Sequence, residues 1–395
     1  MKAIRLLPLV ALCVACTPDQ PDPAVPWEAD VDRIQAEEVV AIHGPDGVRP
    51  AGGPGAPDPA AEPGFGRIAG AALDAAGRIH ILDAQAQMVF VFDPAGTHLH
   101  DLGGPGEGPG EFSNPNWLSV FGEEVSVRDR QGISTFRADG EWVDRRPPTD
   151  TRAIRMWRAG ERGSIEAAIY GAGAQGIDPL MTFILADSDG VVDTLAVGQT
   201  GSLYFRTSRI STALNTPFCD VVHVAVGPEG RIFVADGERG TLTRYRWEET
   251  LEREEEWEVA PPGVAIREDR LEELLEPLPD EFRDSDEEFV GPPVDAHLCG
   301  VHAAGEERVW IRLDRMPDRA ASGEAQEGIS AHVDASPGEL WRTLDAGNGE
   351  PILDVRFPSG VQISGFARDP SGGTRAIGVH ADELGVESVR VYRIR

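Results

Sequence analysis

Two copies of one short pattern stand on either side of a glycine-rich run, and they constrain the fold more than any other feature of this chain. The pattern is a strand, an aspartate, a second strand and a turn of the Asp-x-x-Gly type. It occurs over residues 76–96 and again over residues 124–140, with the run Gly103-Gly-Pro-Gly-Glu-Gly-Pro-Gly-Glu-Phe112 between them. Repeated short antiparallel strands indicate a repeat architecture rather than a set of unrelated domains.

Similar units can be followed to the end of the 395-residue chain. Each unit begins with an apolar strand and continues with strands in which charged residues alternate, which is typical of a propeller blade whose first strand lines the axis. The sequence therefore predicts an all-β, six-bladed β-propeller over residues 28–395. The predicted first strands lie near residues 68–73, 117–120, 153–157, 221–226, 301–303 and 361–367.

The glycine-rich run falls between the first and second units. Its glycines suit a tight turn, and Phe112 is predicted to wedge between the two blades. A phosphate-binding role is not indicated, because no helix with a Lys-Ser/Thr pair follows the run.

The two ends of the chain are predicted to meet in the last blade. The sixth unit stops without a fourth strand, while residues 31–42 form a strand-like segment before the first unit. An N-terminal strand that closes the last blade removes free sheet edges. In the fifth unit we expect strands at 308–313, 329–333 and 340–344 after the first one.

One stretch breaks the strand rhythm. Ile266, Leu271, Leu274, Leu275 and Leu278 form an apolar stripe at helical spacing, opposite a charged face. The sequence predicts a short helical insertion between blades 4 and 5, at about residues 263–290.

The strongly negative charge argues against nucleic acids and anionic membrane surfaces as partners. The formal net charge is −31 and the sequence pI is about 4.6, so the surface repels nucleic-acid phosphates and anionic lipid headgroups. We interpret the charge as a solvated acidic surface.

The first 16 residues have a basic start, a short apolar core and small residues before a cysteine. This segment is too short to span a bilayer and resembles a bacterial lipoprotein signal peptide, with lipidation at Cys16. An ordinary secretory signal is the alternative. The resemblance implies a signal peptide at 1–15, a Pro/Asp-rich tether at 16–27, and an exported, membrane-anchored protein in the periplasm, at the outer membrane or on the cell surface.

The Gly-Pro-Gly-Glu-Phe sequence at 108–112, followed by strand–Asp–strand units, resembles NHL-type repeats. Together with the lipoprotein signal and the closing strand, it makes the chain similar to bacterial six-bladed β-propeller lipoproteins. That resemblance implies the fold, whereas propellers host binding, scaffolding and catalysis alike.

Cys219 and Cys299 precede the first strands of consecutive units, and in an exported protein we expect them to form a disulfide. Two free buried thiols are one alternative. The other is a Cys₂His₂ zinc set with His223 and His302, which strand geometry disfavours because it sends Cys299 and His302 to opposite faces.

His223 and His302 are candidates for side chains that face the axial channel. Four aspartates each follow the second strand of a unit, and we interpret them as structural residues that set the next turn. They are Asp83, Asp129, Asp236 and Asp382.

No convergent set of catalytic or metal-ligating residues is recognisable, so we assign none. The favoured function is a monomeric, non-catalytic binding or scaffolding module for an envelope protein or peptide, with the lipid anchor as its only membrane contact. The alternative is a divalent-cation-dependent hydrolase or lyase, with Ca²⁺ in the axial channel as the candidate cofactor.

Overall fold

The fold is taken from a computed structural model. The structure describes residues 31–48, 64–150, 153–159, 163–170, 180–201, 203–206, 211–214, 219–266, 289–290, 294–305, 307–313, 338–369, 372–382 and 384–395. Outside these ranges lie Cys16, the predicted signal peptide at 1–15, the predicted tether at 16–27 and nearly all of the predicted helical stretch.

The N-terminal strands are β1 (Arg33–Gln35), β2 (Glu37–Gly44) and β3 (Gly47–Val48). Blade 1 contains β4 (Ile68–Leu73), β5 (Ile79–Asp83), β6 (Met88–Phe92) and β7 (His98–Gly103). Blade 2 contains β8 (Trp117–Phe121), β9 (Glu124–Arg128), β10 (Ile133–Arg137) and β11 (Trp142–Arg146). Blade 3 contains β12 (Ala153–Arg158), β13 (Ser164–Tyr170), β14 (Leu180–Asp187) and β15 (Gly190–Gln199).

After β16 (Leu203–Arg206) and β17 (Ser211–Leu214), blade 4 contains β18 (Val222–Val226), β19 (Arg231–Asp236), β20 (Thr241–Trp247) and β21 (Leu251–Glu258). Next come β22 (Val264–Ala265), β23 (Phe289–Val290) and β24 (Val294–Asp295). Blade 5 contains β25 (Leu298–Ala304), β26 (Arg308–Leu313), β27 (Leu340–Asp345) and β28 (Pro351–Arg356). Blade 6 contains β29 (Val361–Arg368), β30 (Thr374–Ala381), β31 (Glu387–Ile394) and β2.

The first strands of the blades form the inner ring. Their cyclic order of contact is β4, β8, β12, β18, β25, β29 and back to β4, so the sheet layers close around one axis. Side-chain hydrogen bonds to backbone carbonyls cross three seams of this ring: Trp117 Nε1 to Met156 (2.8 Å), His302 Nε2 to Phe366 (2.9 Å) and Ser364 Oγ to Ala71 (2.9 Å). This ring confirms the predicted six-bladed propeller.

The N-terminal segment closes two blades rather than one. Strand β2 pairs antiparallel with β31, as predicted, and becomes the fourth strand of blade 6. In addition, β1 pairs in parallel with β28 at the outer edge of blade 5, with Ile34 opposite Val355. The second pairing was not predicted, because a three-residue strand carries no usable alternation.

Phe112 lies between blades 1 and 2, which confirms the prediction for the glycine-rich run. It is fully buried among apolar residues of both blades and contacts the ring of Phe136 edge-on, with centroids 5.6 Å apart. Gly103 has a φ of +79°, and a Cβ there would fall 2.2 Å from the Phe112 ring. Glycine is required at that position by both the backbone and the close approach.

The strand assignment in the fifth unit was wrong for its outer half. Its third strand is Leu340–Asp345, which pairs residue by residue with β26, and its fourth is Pro351–Arg356. The segment 329–333 lies outside the described residues. Strand β21 was also missed, because its sequence is mostly charged and its place is set by the ladder to β20.

The predicted helical insertion is replaced at its margins by strands. Val264–Ala265 pairs with Val294–Asp295, and Phe289–Val290 pairs with β16. The stretch between them lies outside the described residues. Within the described ranges, no helix is long and apolar enough to cross a membrane.

Candidate functional site

The two faces of the ring carry very different connections. Where the inner strands end, the connections between the described strands are short: 74–78, 93–97, 122–123, 138–141, 159–163, 188–189, 227–230, 248–250, 305–307, 346–350 and 369–373. Where the inner strands begin, the chain has its long connections: 49–67, 104–116, 171–179, 200–221, 259–297 and 314–339. Because adjacent strands within each blade are antiparallel, these long connections all leave from one face, which we call the loop-bearing face.

Five charged or titratable residues meet at that face near the axis, in blades 3 to 5. We call Arg155, Asp220, His223, Arg312 and Glu339 the polar cluster. Arg155 and His223 lie near the starts of β12 and β18, and Arg312 lies near the end of β26. Asp220 lies two residues before β18, and Glu339 directly precedes β27. The antiparallel topology brings all five positions to the same end of the ring.

Each carboxylate of the polar cluster is held by an arginine and by a backbone amide. Asp220 accepts from Arg155 Nη1 (3.4 Å) and from the N–H of Gly201 (2.9 Å). Glu339 accepts from Arg312 Nη1 (3.0 Å) and, across the seam to blade 6, from the N–H of Ile363 (3.0 Å).

The arginines also contact less polar groups. The Arg155 guanidinium lies 5.7 Å from the centroid of the Trp117 ring, at the distance of a cation–π contact. Arg312 Nη2 is 3.8 Å from Cys219 Sγ. Both guanidiniums therefore keep N–H groups that no described residue binds.

His223 lies within this set with one ring nitrogen unused. The ring hydrogen-bonds to the backbone of Asp220, while its Nε2 is buried and has no hydrogen-bond partner. The bond to Asp220 is therefore made through Nδ1. Burial lowers the pKa of His223 to about 4; Asp220 opposes this shift, and Arg312 and Arg155 add to it. The imidazole is neutral near pH 7, and the buried Nε2 carries a lone pair that accepts no hydrogen bond.

His302 has a different environment. Its Nε2–H donates to the Phe366 carbonyl across the blade 5–6 seam, and its ring packs against the Phe366 ring. Burial lowers its pKa, against the effect of that hydrogen bond. The structure therefore brings His223 into the polar cluster and places His302 in an interblade contact.

Cys219 and Cys299 are joined in a disulfide, with their Cα atoms 5.3 Å apart. The bond ties the connection before β18 to β25, and so links blades 4 and 5 beside the polar cluster. Bonded sulfurs are not thiolate ligands, so this arrangement does not match the Cys₂His₂ alternative. Within the described ranges, no group of three or more His, Cys, Asp or Glu side chains could hold a metal ion.

The four acids that follow second strands bind backbone amides. Asp83 holds the segment entering β4 through the N–H of Gly66 (2.7 Å), and Asp129 holds the segment entering β8 through that of Ser113 (2.8 Å). Asp236 accepts from Arg239, and Asp382 accepts from Leu384 and Val386. All four carboxylates thus contact their own turns or the adjacent connection.

Sequence reasoning did not find Arg155, Asp220, Arg312 or Glu339. A usable signal was present at Arg155, because a cation in the middle of the apolar run from Ala153 to Trp157 is unusual. The other three lie at strand ends, where charged residues are common, and only ring closure reveals their proximity.

The ring of four-stranded blades defines the protein as a six-bladed β-propeller. Residues 68–141 match a family described as 6-bladed beta-propeller. A comparison with curated proteins found no match.

Solved structures similar to this chain have low sequence identity. One is a candidate exported protein of Bacteroides fragilis, with a TM-score of 0.44 and 10% identity over 92% of this chain and 99% of that one. Another is streptogramin B lyase, with a TM-score of 0.35 and 8% identity over 82% and 78%. A third is the calcium-binding protein regucalcin of Agrobacterium tumefaciens, with a TM-score of 0.37 and 11% identity over 93% and 97%.

Proposed function

We propose that this protein is an exported, lipid-anchored β-propeller that binds an envelope protein or peptide on its loop-bearing face without catalysing a reaction. The observation that carries the proposal is the asymmetry of the connections. A closed ring is a rigid support, and binding residues are commonly carried on loops that such a support positions. Here all of the long connections are on one face.

Export and anchoring rest on the N-terminal sequence. The basic start, the short apolar core and Cys16 support a lipidated N-terminus, and the net charge of −31 supports a body that stays off anionic headgroups. The tether then gives the ring reach without embedding it in the bilayer.

The polar cluster does not favour the cation-dependent alternative. A divalent cation next to His223 would lie close to the Arg155 and Arg312 guanidiniums, which repel it. Calcium sites in proteins use six to eight oxygen ligands, whereas the two carboxylates of the cluster are already paired with arginines.

The test compares partner capture by two variants, each with reversed charges on only one face of the ring. Membranes from cells that produce the protein are cross-linked, and captured proteins are identified by mass spectrometry. Glu107→Lys with Glu238→Lys reverses two exposed charges on the loop-bearing face, and Glu123→Lys with Glu249→Lys reverses two on the opposite face. We expect capture to fall at least about tenfold for the first pair only, since like charges placed in an interface cost more than about 1.4 kcal/mol. Equal capture by both pairs would contradict the proposal.

A further inference from the structure

We propose that the polar cluster is a binding site for a carboxylate group, and that this carboxylate belongs to the protein or peptide bound on the loop-bearing face. The inference rests on the proposed function for the identity of the ligand, but the site itself stands on the geometry of the cluster. Its ligand class follows from the donors, the acceptor and the charge balance found there.

The first step concerns hydrogen-bond donors. Among the described residues, Arg155 and Arg312 each use Nη1 to bind a carboxylate of this chain, and the other contact of the Arg312 guanidinium is a long one to Cys219 Sγ. A guanidinium has five N–H donors in a planar fork that matches carboxylate oxygens. Arg155 of blade 3 and Arg312 of blade 5 both act on His223 of blade 4, so their unused N–H groups can receive one more carboxylate between them.

The second step concerns the unused acceptor. His223 Nε2 is buried without a partner, which is costly for a polar atom unless something occupies the space beside it in the working protein. Its opposite nitrogen is held by the backbone of Asp220, which fixes the ring orientation. Nε2 is thus a preset contact point at the centre of the cluster.

The third step is charge balance. The cluster contains two guanidiniums and two carboxylates, and His223 is neutral, so its formal charge is zero. An incoming carboxylate adds one negative charge. A proton taken from solvent onto Nε2 restores the balance and converts Nε2 into a third donor toward the ligand.

Binding is therefore coupled to uptake of one proton. The groups that face the His223 ring are Asp220 from the connection before β18, Arg155 from β12 and Arg312 from β26, and Arg312 is paired with Glu339. Because a bound carboxylate offsets both arginines, it raises the pKa of His223. The complex is expected to tighten as pH falls from about 7 toward about 5.

The experiment uses the folded chain and a pair of small probes. N-acetylglycine carries a carboxylate, and N-acetylglycinamide is the same molecule without one. Ring signals of the histidines are followed by ¹H–¹⁵N NMR while each probe is added at constant ionic strength, and His223→Gln identifies the His223 signals. We expect saturable shifts of His223 with N-acetylglycine only, with a Kd on the order of 1 mM and about one proton taken up.

Variants test the role of each cation. Arg155→Met is expected to weaken N-acetylglycine binding about tenfold, as is Arg312→Met combined with Glu339→Gln, which leaves no unpaired carboxylate. His302→Gln is the matched control, because it replaces a buried histidine outside the cluster. Melting curves confirm that each variant is folded, and His223→Gln supplies a second test if an arginine variant is not.

The outcomes separate this site from the proposed function. Equal shifts by both probes, or no saturable shift at pH 5, would overturn the carboxylate site even if the loop-bearing face captures a partner. Binding of N-acetylglycine that is lost in Arg155→Met supports the site even if no envelope protein is captured.

Discussion

Replacement of Ile42 by alanine tests whether the N-terminal strand stabilises the ring. Ile42 lies in β2, is fully buried, and belongs to a cluster formed by blades 6 and 1. Truncating a buried isoleucine to alanine typically costs about 2–5 kcal/mol, because apolar contacts are lost and a cavity remains. We expect a loss of about 3 kcal/mol for Ile42→Ala.

This loss can be converted into a change in melting temperature. Unfolding entropy near 60 °C is about 2.1 cal/mol/K per residue, which gives roughly 0.7–0.8 kcal/mol/K for a ring of this length. A loss of about 3 kcal/mol therefore lowers Tm by about 4 °C, which scanning calorimetry resolves. Glu37→Ala is the control: it lies on the same strand, and its ion pair with Arg395 is 58% and 72% exposed at the two side chains. Exposed pairs contribute about 0–1 kcal/mol.

Removing residues 1–43 is the stronger form of the same test. It deletes β1 and nearly all of β2, which uncovers the edges of β28 and β31 and the side chains of Val389 and Val391. Unpaired edges promote association, so we expect light scattering to rise during refolding. If Ile42→Ala has the same Tm as Glu37→Ala, or the shortened chain has the same Tm as the full one, strand closure does not stabilise the ring.

Three further predictions concern single positions. Gly103→Ala should destabilise the protein more than Gly122→Ala, because both glycines have positive φ but only Gly103 faces an aromatic ring, while a Cβ at Gly122 meets no atom within 4 Å; equal losses of Tm would mean that the Phe112 ring moves aside. Reduction should add about 2 Da to the mass of the folded body, and loss of the Cys219–Cys299 bond, which spans 80 residues, should cost about 4–5 kcal/mol in denaturant titrations; an unchanged mass would show free thiols. Folding stability should fall as pH drops from about 6.5 to about 4, because His223 takes up a proton in the unfolded chain at a higher pH than in the folded one. His223→Gln should flatten that part of the stability profile. A variant profile identical to that of the parent protein would contradict the lowered pKa of His223.

The inner ring could be predicted from sequence because its strands combine apolar composition with regular spacing. The predicted strand at 68–73 coincides with Ile68–Leu73, and those at 117–120 and 361–367 each fall one residue short. Each of these strands contacts the first strands of both neighbouring blades, which favours apolar residues along it.

The outer strands and the polar cluster could not be predicted in the same way. Strand β21 is charged on both faces and is held by its ladder to β20 and by ion pairs such as Arg244–Glu254. The cluster joins Arg155 to Arg312, which are far apart in the sequence. No local sequence pattern predicts that these two arginines lie close together, since their proximity depends on how many blades separate them.

The parallel pairing of β1 with β28 determines where the chain leaves the ring. Residue 31 emerges at the outer rim, beside the last strand of blade 5, and away from both the axis and the two faces. An attachment made through the N-terminus would therefore hold the ring at its outer rim. Both faces of the ring then lie away from the point of attachment.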